Sequence, residues 1–180
     1  MGGVLSLKKT ELKNLVSTGV LAALSIVLGK FLSVGIGNTV RIGFENLPII
    51  LASVAFGPIY GGACGVTADI IGSILRGYDI NLLITLAQLL MGVIPALLTR
   101  YVFKSRETLS VFLSTVISHA VCSVLLKSAA LYAVYRTPFS ALIMSRLVNY
   151  AIVAPVEGYL GGLLLRKFPV FGIGTKGARP

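Results

Sequence analysis

Six ionisable residues sit where their neighbours are almost all apolar: Lys30, Asp69, His119, Lys127, Arg146 and Glu157. A charge facing hydrocarbon costs at least about 2.5 kcal/mol, so such groups turn toward protein, water or a ligand. Lys127 interrupts "VCSVLL" and "SAALYAVY", and Arg146 lies within "FSALIMSRLVNYAIVAP". Arg146 and Asn149 are three residues apart and share a helical face, with Tyr150 beside them. A guanidinium fork next to an amide and a ring suits a planar carboxylate or a heterocycle edge. Arg41, Phe44 and Tyr78, with Asn38 and Asp79, fall at the ends of apolar runs. The candidate binding set is Arg146, Arg41, Lys127, Asn149, Phe44 and Tyr78. Together they would form a cup of net positive character within apolar walls, which describes a small-molecule site. The plainer alternative is that Lys127 and Arg146 neutralise Asp69 or Glu157 inside the fold. Lys30 lies near the end of its run and can snorkel. The single His119 suits a hydrogen-bonded core position, and Glu157 can pair with Arg166.

No sequence pattern announces a reaction. HExxH, GxGxxG and GxxxxGK[ST] are absent, and Cys64 and Cys122 lack the neighbours of a metal site. The chain therefore reads as a non-catalytic binding protein with no resident cofactor or metal.

The elements that must carry these residues follow from composition. The chain has 180 residues, 56% hydrophobic and 12% charged, where soluble domains hold about 25% charged residues. So little polar surface cannot cover a protein in water. Lipid admits helices or closed barrels, and the apolar runs are long rather than alternating, so helices are expected. Six spans fit: Glu11 to Phe31, Glu45 to Phe56, Ile59 to Leu75, Ile80 to Phe103, Thr108 to Tyr135, and Pro138 to Arg166. The second is short, and its Gly57–Pro58 turn is uncharged, so a shallow re-entrant bend competes with a full exit there. The expected architecture is all-α, an integral membrane bundle of six transmembrane helices. Residues 1–180 form one domain, and 167–180 are a tail.

The net charge is +10. These charges bunch at the ends of apolar runs rather than along one stripe, which excludes nucleic acid as a partner and points to the bilayer. Lys8, Lys9, Lys13, Arg100, Lys104, Arg106, Arg166, Lys167, Lys176 and Arg179 flank one side, against Arg41, Arg76 and Arg136 on the other. The positive-inside rule then puts the N- and C-termini in the cytoplasm. Gly19 and Ala23 begin a small-residue face on the first helix. Such a face serves packing within the bundle or docking on a separate membrane protein. Gly57, Gly61, Gly65 and Gly72 suggest tight packing of the third helix, with a ligand-facing backbone as the second possibility.

The stretch "RIGFENLPIILASVAFGPIYGGACGVTADIIGSIL" resembles the substrate-binding S component of energy-coupling factor (ECF) vitamin transporters, most closely the folate-type family. The matching residues are Arg41, Ile42 and Phe44; Leu47, Pro48 and Ile49; Phe56, Gly57 and Pro58; and Asp69 with Gly72. Arg146 followed by Pro155 is similar to the family's last helix. The resemblance covers about Leu12 to Arg166. It implies a six-helix protein of the prokaryotic cell membrane, multi-pass, that binds a small vitamin near the outer face. It also implies partners: a transmembrane coupling protein, which would dock on Gly19 and Ala23, and two ATPase subunits that use ATP and Mg. After the third helix this chain reads "RGYDINLLITLAQ", where folate-type members commonly carry an aromatic segment with Pro and Gly. Folate or a related compound is the expected ligand, and a different vitamin stays open. The alternative of another class is a membrane scaffold or small channel.

Overall fold

Helix starts and stops follow local chemistry. Asn81 caps the fourth helix, its side-chain oxygen accepting from the N–H groups of Leu83 (2.9 Å) and Ile84 (3.4 Å). Gly57, at φ +114°, joins the second and third helices in a conformation that side-chained residues avoid, and Pro58 opens the third. The computed structural model describes residues 9–31, 33–36, 40–105, 107–135 and 139–167. The expected basic termini, up to Lys8 and beyond Lys167, lie outside the described residues, as do Asn38, Arg106 and Arg136.

The elements run α1 (Lys9–Phe31), β1 (Val34–Ile36), β2 (Val40–Ile42), α2 (Asn46–Phe56), α3 (Pro58–Arg76) and α4 (Leu82–Leu97). A π-helical turn, Leu98–Val102, extends α4. Then α5 (Thr108–Ser118), a π-helical stretch His119–Leu126 and α6 (Lys127–Tyr135) form one continuous rod, and α7 (Phe139–Lys167) follows. The bundle thus has six rods among the described residues. Five helical segments are long and apolar enough to cross a membrane, and α2 is the short one. The antiparallel hairpin, with Gly35 opposite Arg41, was not expected from sequence. It lies in the loop between α1 and α2, and β2 touches α7.

At about 1.5 Å per residue, α2 is only about 16 Å long, half a bilayer core. It is enclosed by α1, α3, α4 and α7. Ile49, Ile50, Ala52, Ser53 and Val54 are all fully buried. Being apolar all round, it is the core of the bundle rather than a lipid-facing rod. On α4, Pro95 removes a backbone donor inside the helix. Next to it, the Ala96 N–H donates to Ser53 Oγ of α2 at 3.0 Å.

The glycines of α3 mostly do what packing required. A Cβ on Gly61 or on Gly92 would overlap the other's backbone, so α3 and α4 touch main chain to main chain there. Gly65 meets the Gln88 carbonyl in the same way. Gly72 differs, because a Cβ there meets nothing within 4 Å.

Candidate functional site

At the hairpin end of the bundle two small clefts flank Glu45. The first is lined by Ser33, Gly43, Glu45, Asn46, Asn149 and Tyr150. It sits between the hairpin flanks, the start of α2 and the middle of α7. The second is lined by Glu45, Ser25, Ile26, Ala68, Asp69, Gly72, Arg76 and Gln88, drawn from α1, α3 and α4. Each holds about 30 Å³, room for a few waters at most. Glu45 forms a wall of both. Its Oε2 accepts from Arg76 Nη2 at 3.3 Å, and both side chains are half-buried. A Cβ on Gly29 of α1 would strike this pair, so the bare backbone there makes room for it.

Behind the first cleft lies a second polar assembly. His119 and Glu157 are buried, at 1% and 0% exposure, and His119 Nε2 and Glu157 Oε2 share a hydrogen bond of 2.7 Å. The other Glu157 oxygen accepts from the Leu47 N–H at 3.2 Å, in the first turn of α2. The His119 ring faces Ser123 Oγ at 3.3 Å and lies against Tyr150, with ring centroids 5.0 Å apart. The imidazole and carboxylate therefore hold α2, the π-helical stretch and α7 together just beneath Asn46 and Tyr150.

Among the sequence-predicted residues, Asn149 lines the first cleft, and Arg146 lies one turn earlier on α7. Arg146 is half-buried, and its Nη1 donates to the Ser123 carbonyl at 3.3 Å. Lys127 is buried at 6% exposure, where the rod resumes α-helical geometry. Phe44 is half-buried beside the start of α2, Tyr78 is 63% exposed in the loop before α4, and Arg41 is on β2. Arg146, Lys127, Phe44 and Tyr78 line neither cleft, and the Arg41 side chain lies outside what is described. Neither Lys127 nor Arg146 is paired with Asp69 or Glu157. Among the described residues Arg76 forms an ion pair with Glu45, and His119 shares a hydrogen bond with Glu157. Glu157 pairs with His119 rather than with Arg166, both side chains being buried in the bundle interior. Lys30 is exposed and reaches the Leu75 carbonyl at 3.2 Å. Residues that sequence reasoning did not single out are Glu45, Asn46, Ser33 and Gln88. Their signal was present, since "FENLPI" puts two polar residues directly before an apolar helix. Gly19 and Ala23 lie on the exposed side of α1, and a Cβ on Gly19 meets nothing within 4 Å.

A membrane bundle with a polar cleft at one end, closed over by a hairpin, defines a membrane-embedded binding protein. The family model of the ECF-type riboflavin transporter S component matches residues 9–168. The chain belongs to that family. It is a multi-pass bacterial membrane protein, a non-catalytic transport component of the kind that binds small vitamins and works with an ECF transporter module. Three solved structures are similar. FolT bound with folic acid is 25% identical, with a TM-score of 0.69 over 84% of this chain and 94% of that one. The S component for biotin from an ECF-type ABC transporter is 19% identical, with a TM-score of 0.70 over 89% and 94%. The S component of a bacterial ECF transporter is 19% identical, with a TM-score of 0.62 over 91% and 99%. No curated protein sequence matches.

Proposed function

We propose that this chain is the substrate-binding subunit of an ATP-driven importer for riboflavin or a closely related flavin. The supporting observation is the lining of the first cleft. Its polar groups are Ser33, Glu45, Asn46, Asn149 and Tyr150, which are hydroxyls, amides and one carboxylate. Such groups suit a neutral ring system with amide edges and hydroxyls. A carboxylate in the wall disfavours a ligand that carries its own carboxylates. The family description points the same way. At about 30 Å³ the cleft is closed around nothing larger than water, so ligand entry needs the hairpin to move off α7.

Folate is the second reading, favoured by the 25% identity to FolT bound with folic acid and by Arg146 near the cleft. A thermal-shift panel of riboflavin, folate and biotin on the purified chain separates the two, since a ligand that binds only the folded state raises the melting temperature. Riboflavin is expected to stabilise and to lose fluorescence in a saturable way. Stabilisation by folate alone would favour the second reading. Asn149→Ala is expected to weaken riboflavin binding about tenfold, the worth of one lost hydrogen bond of about 1.4 kcal/mol.

Transport energy would come from partners, a transmembrane coupling protein and two ATPase subunits that use ATP and Mg. The coupling protein would meet the exposed face of α1 at Gly19 and Ala23. Gly19→Leu puts a bulky group on that open face, and small residues are what allow close helix approach. It is expected to leave vitamin binding within about twofold and to lower uptake in cells by about tenfold or more. Equal uptake by the variant would place the docking surface elsewhere.

A further inference from the structure

We propose that the second cleft, between α1, α3 and α4, binds a monovalent metal cation, sodium or potassium, on Asp69 and Gln88. The charge balance of the cleft is the first reason. Glu45 and Asp69 carry two negative charges and Arg76 one positive charge. Arg76 Nη2 donates to Glu45 at 3.3 Å, while its buried Nε has no hydrogen-bond partner. Asp69 accepts a hydrogen bond from Thr85 Oγ1 at 2.6 Å, and no described lysine, arginine or histidine forms an ion pair with it. A carboxylate among membrane helices needs a counter-charge, because desolvation is costly when uncompensated.

The second reason is independent of the carboxylates. Gln88 is 5% exposed, lines the same cleft, and its Oε1 has no hydrogen-bond partner. A buried amide oxygen without a donor is expensive, and native structures seldom leave one so. A cation on this oxygen and on Asp69 satisfies both groups at once. Carboxylate, amide and hydroxyl oxygens are the ligands that hard cations select, and Ser25, whose hydroxyl donates to the Glu45 carbonyl, lines the same cleft. The cleft's net charge of one negative unit matches a single positive ion. The volume of about 30 Å³ accommodates an ion with a water and nothing larger. Gly72 keeps this space open, since a Cβ there meets nothing within 4 Å.

The test is thermal unfolding of the full chain in detergent micelles, in NaCl, KCl or N-methyl-D-glucamine chloride at one ionic strength. Sodium or potassium, and not the organic cation, is expected to raise the melting temperature by about 5–10 °C near a hundredfold excess over its dissociation constant. Asp69→Asn, Gln88→Leu and Gly72→Ala are each expected to abolish that rise. Gly72→Ala touches no charge and fills the cleft with one methyl, so it reports even if a polar variant fails to fold. Identical melting in all three salts overturns the proposal. It would mean a protonated Asp69, a Gln88 amide turned to donate to it, or water alone. A salt response that survives Gly72→Ala and Asp69→Asn also overturns it, by placing the ion elsewhere.

Discussion

Gly92→Ala is expected to destabilise the bundle by about 3 kcal/mol or more, although it adds a single methyl. Overpacking a tight core ordinarily costs about 1–3 kcal/mol, because neighbouring side chains can shift. Here no side chain can give way. The added carbon would overlap the backbone of Gly61 across the α3–α4 contact. The helices must separate, which also disturbs the Gly65 approach to Gln88 one turn along. The matched control is Gly19→Ala, where the new methyl meets nothing within 4 Å and better helix propensity acts alone. Thermal unfolding in micelles should show a large loss for the first variant and no loss for the second. Equal melting of Gly92→Ala and the parent would mean that α3 and α4 do not touch through their backbones.

The second large effect belongs to His119 and Glu157. Removing either partner of this buried hydrogen-bonded pair leaves the other unsatisfied, at a cost of about 1–3 kcal/mol or more. Glu157→Leu strands the imidazole and leaves the Leu47 N–H only its bond of 3.3 Å to the Phe44 carbonyl. His119→Leu leaves the carboxylate with the Leu47 N–H as its remaining hydrogen-bond donor. Each single change is expected to be severe. The double change to leucines should recover much of the loss, because the Leu47 N–H keeps the Phe44 carbonyl and only the Ser123 hydroxyl loses a side-chain partner. A double-mutant cycle in unfolding free energy measures this coupling. Additive losses would show that the two side chains do not act as a unit. Since Asn46 precedes Leu47 and Tyr150 stacks on His119, the single variants should also weaken vitamin binding.

Periodicity and length made the rods legible. The expected spans for Thr108 to Tyr135 and Glu45 to Phe56 nearly coincide with the observed helices, because apolar runs bounded by Gly, Pro and charge leave little choice in lipid. The π-helical stretch at His119–Leu126 had no such signal, since one extra residue in a turn changes hydrogen bonding without changing composition. The hairpin was hidden for a similar reason. Three-residue strands, Val34–Ile36 and Val40–Ile42, are too short to establish an alternating pattern. At the site, residue type was the signal. Arg146 and Lys127 stood out as charges in apolar sequence, yet the Arg146 guanidinium bonds a backbone carbonyl. The cleft lining comes instead from Glu45 and Asn46, which read as ordinary helix-start residues until α7 is folded over them. Asn149 was legible because its spacing from Arg146 already put it on the same face.

The shortness of α2 bears on how the protein is made. A segment of 11 residues is about half the length that the insertion machinery recognises as a free-standing span. It can enter the bilayer only as a hairpin with α3, folded at Gly57. Its remaining polar backbone ends must then wait for later helices to shelter them. The Glu157 carboxylate that receives the Leu47 N–H is translated 110 residues afterwards. Truncated nascent chains lacking α7 should therefore be unstable in the membrane, and quality-control proteases would meet them first at the start of α2.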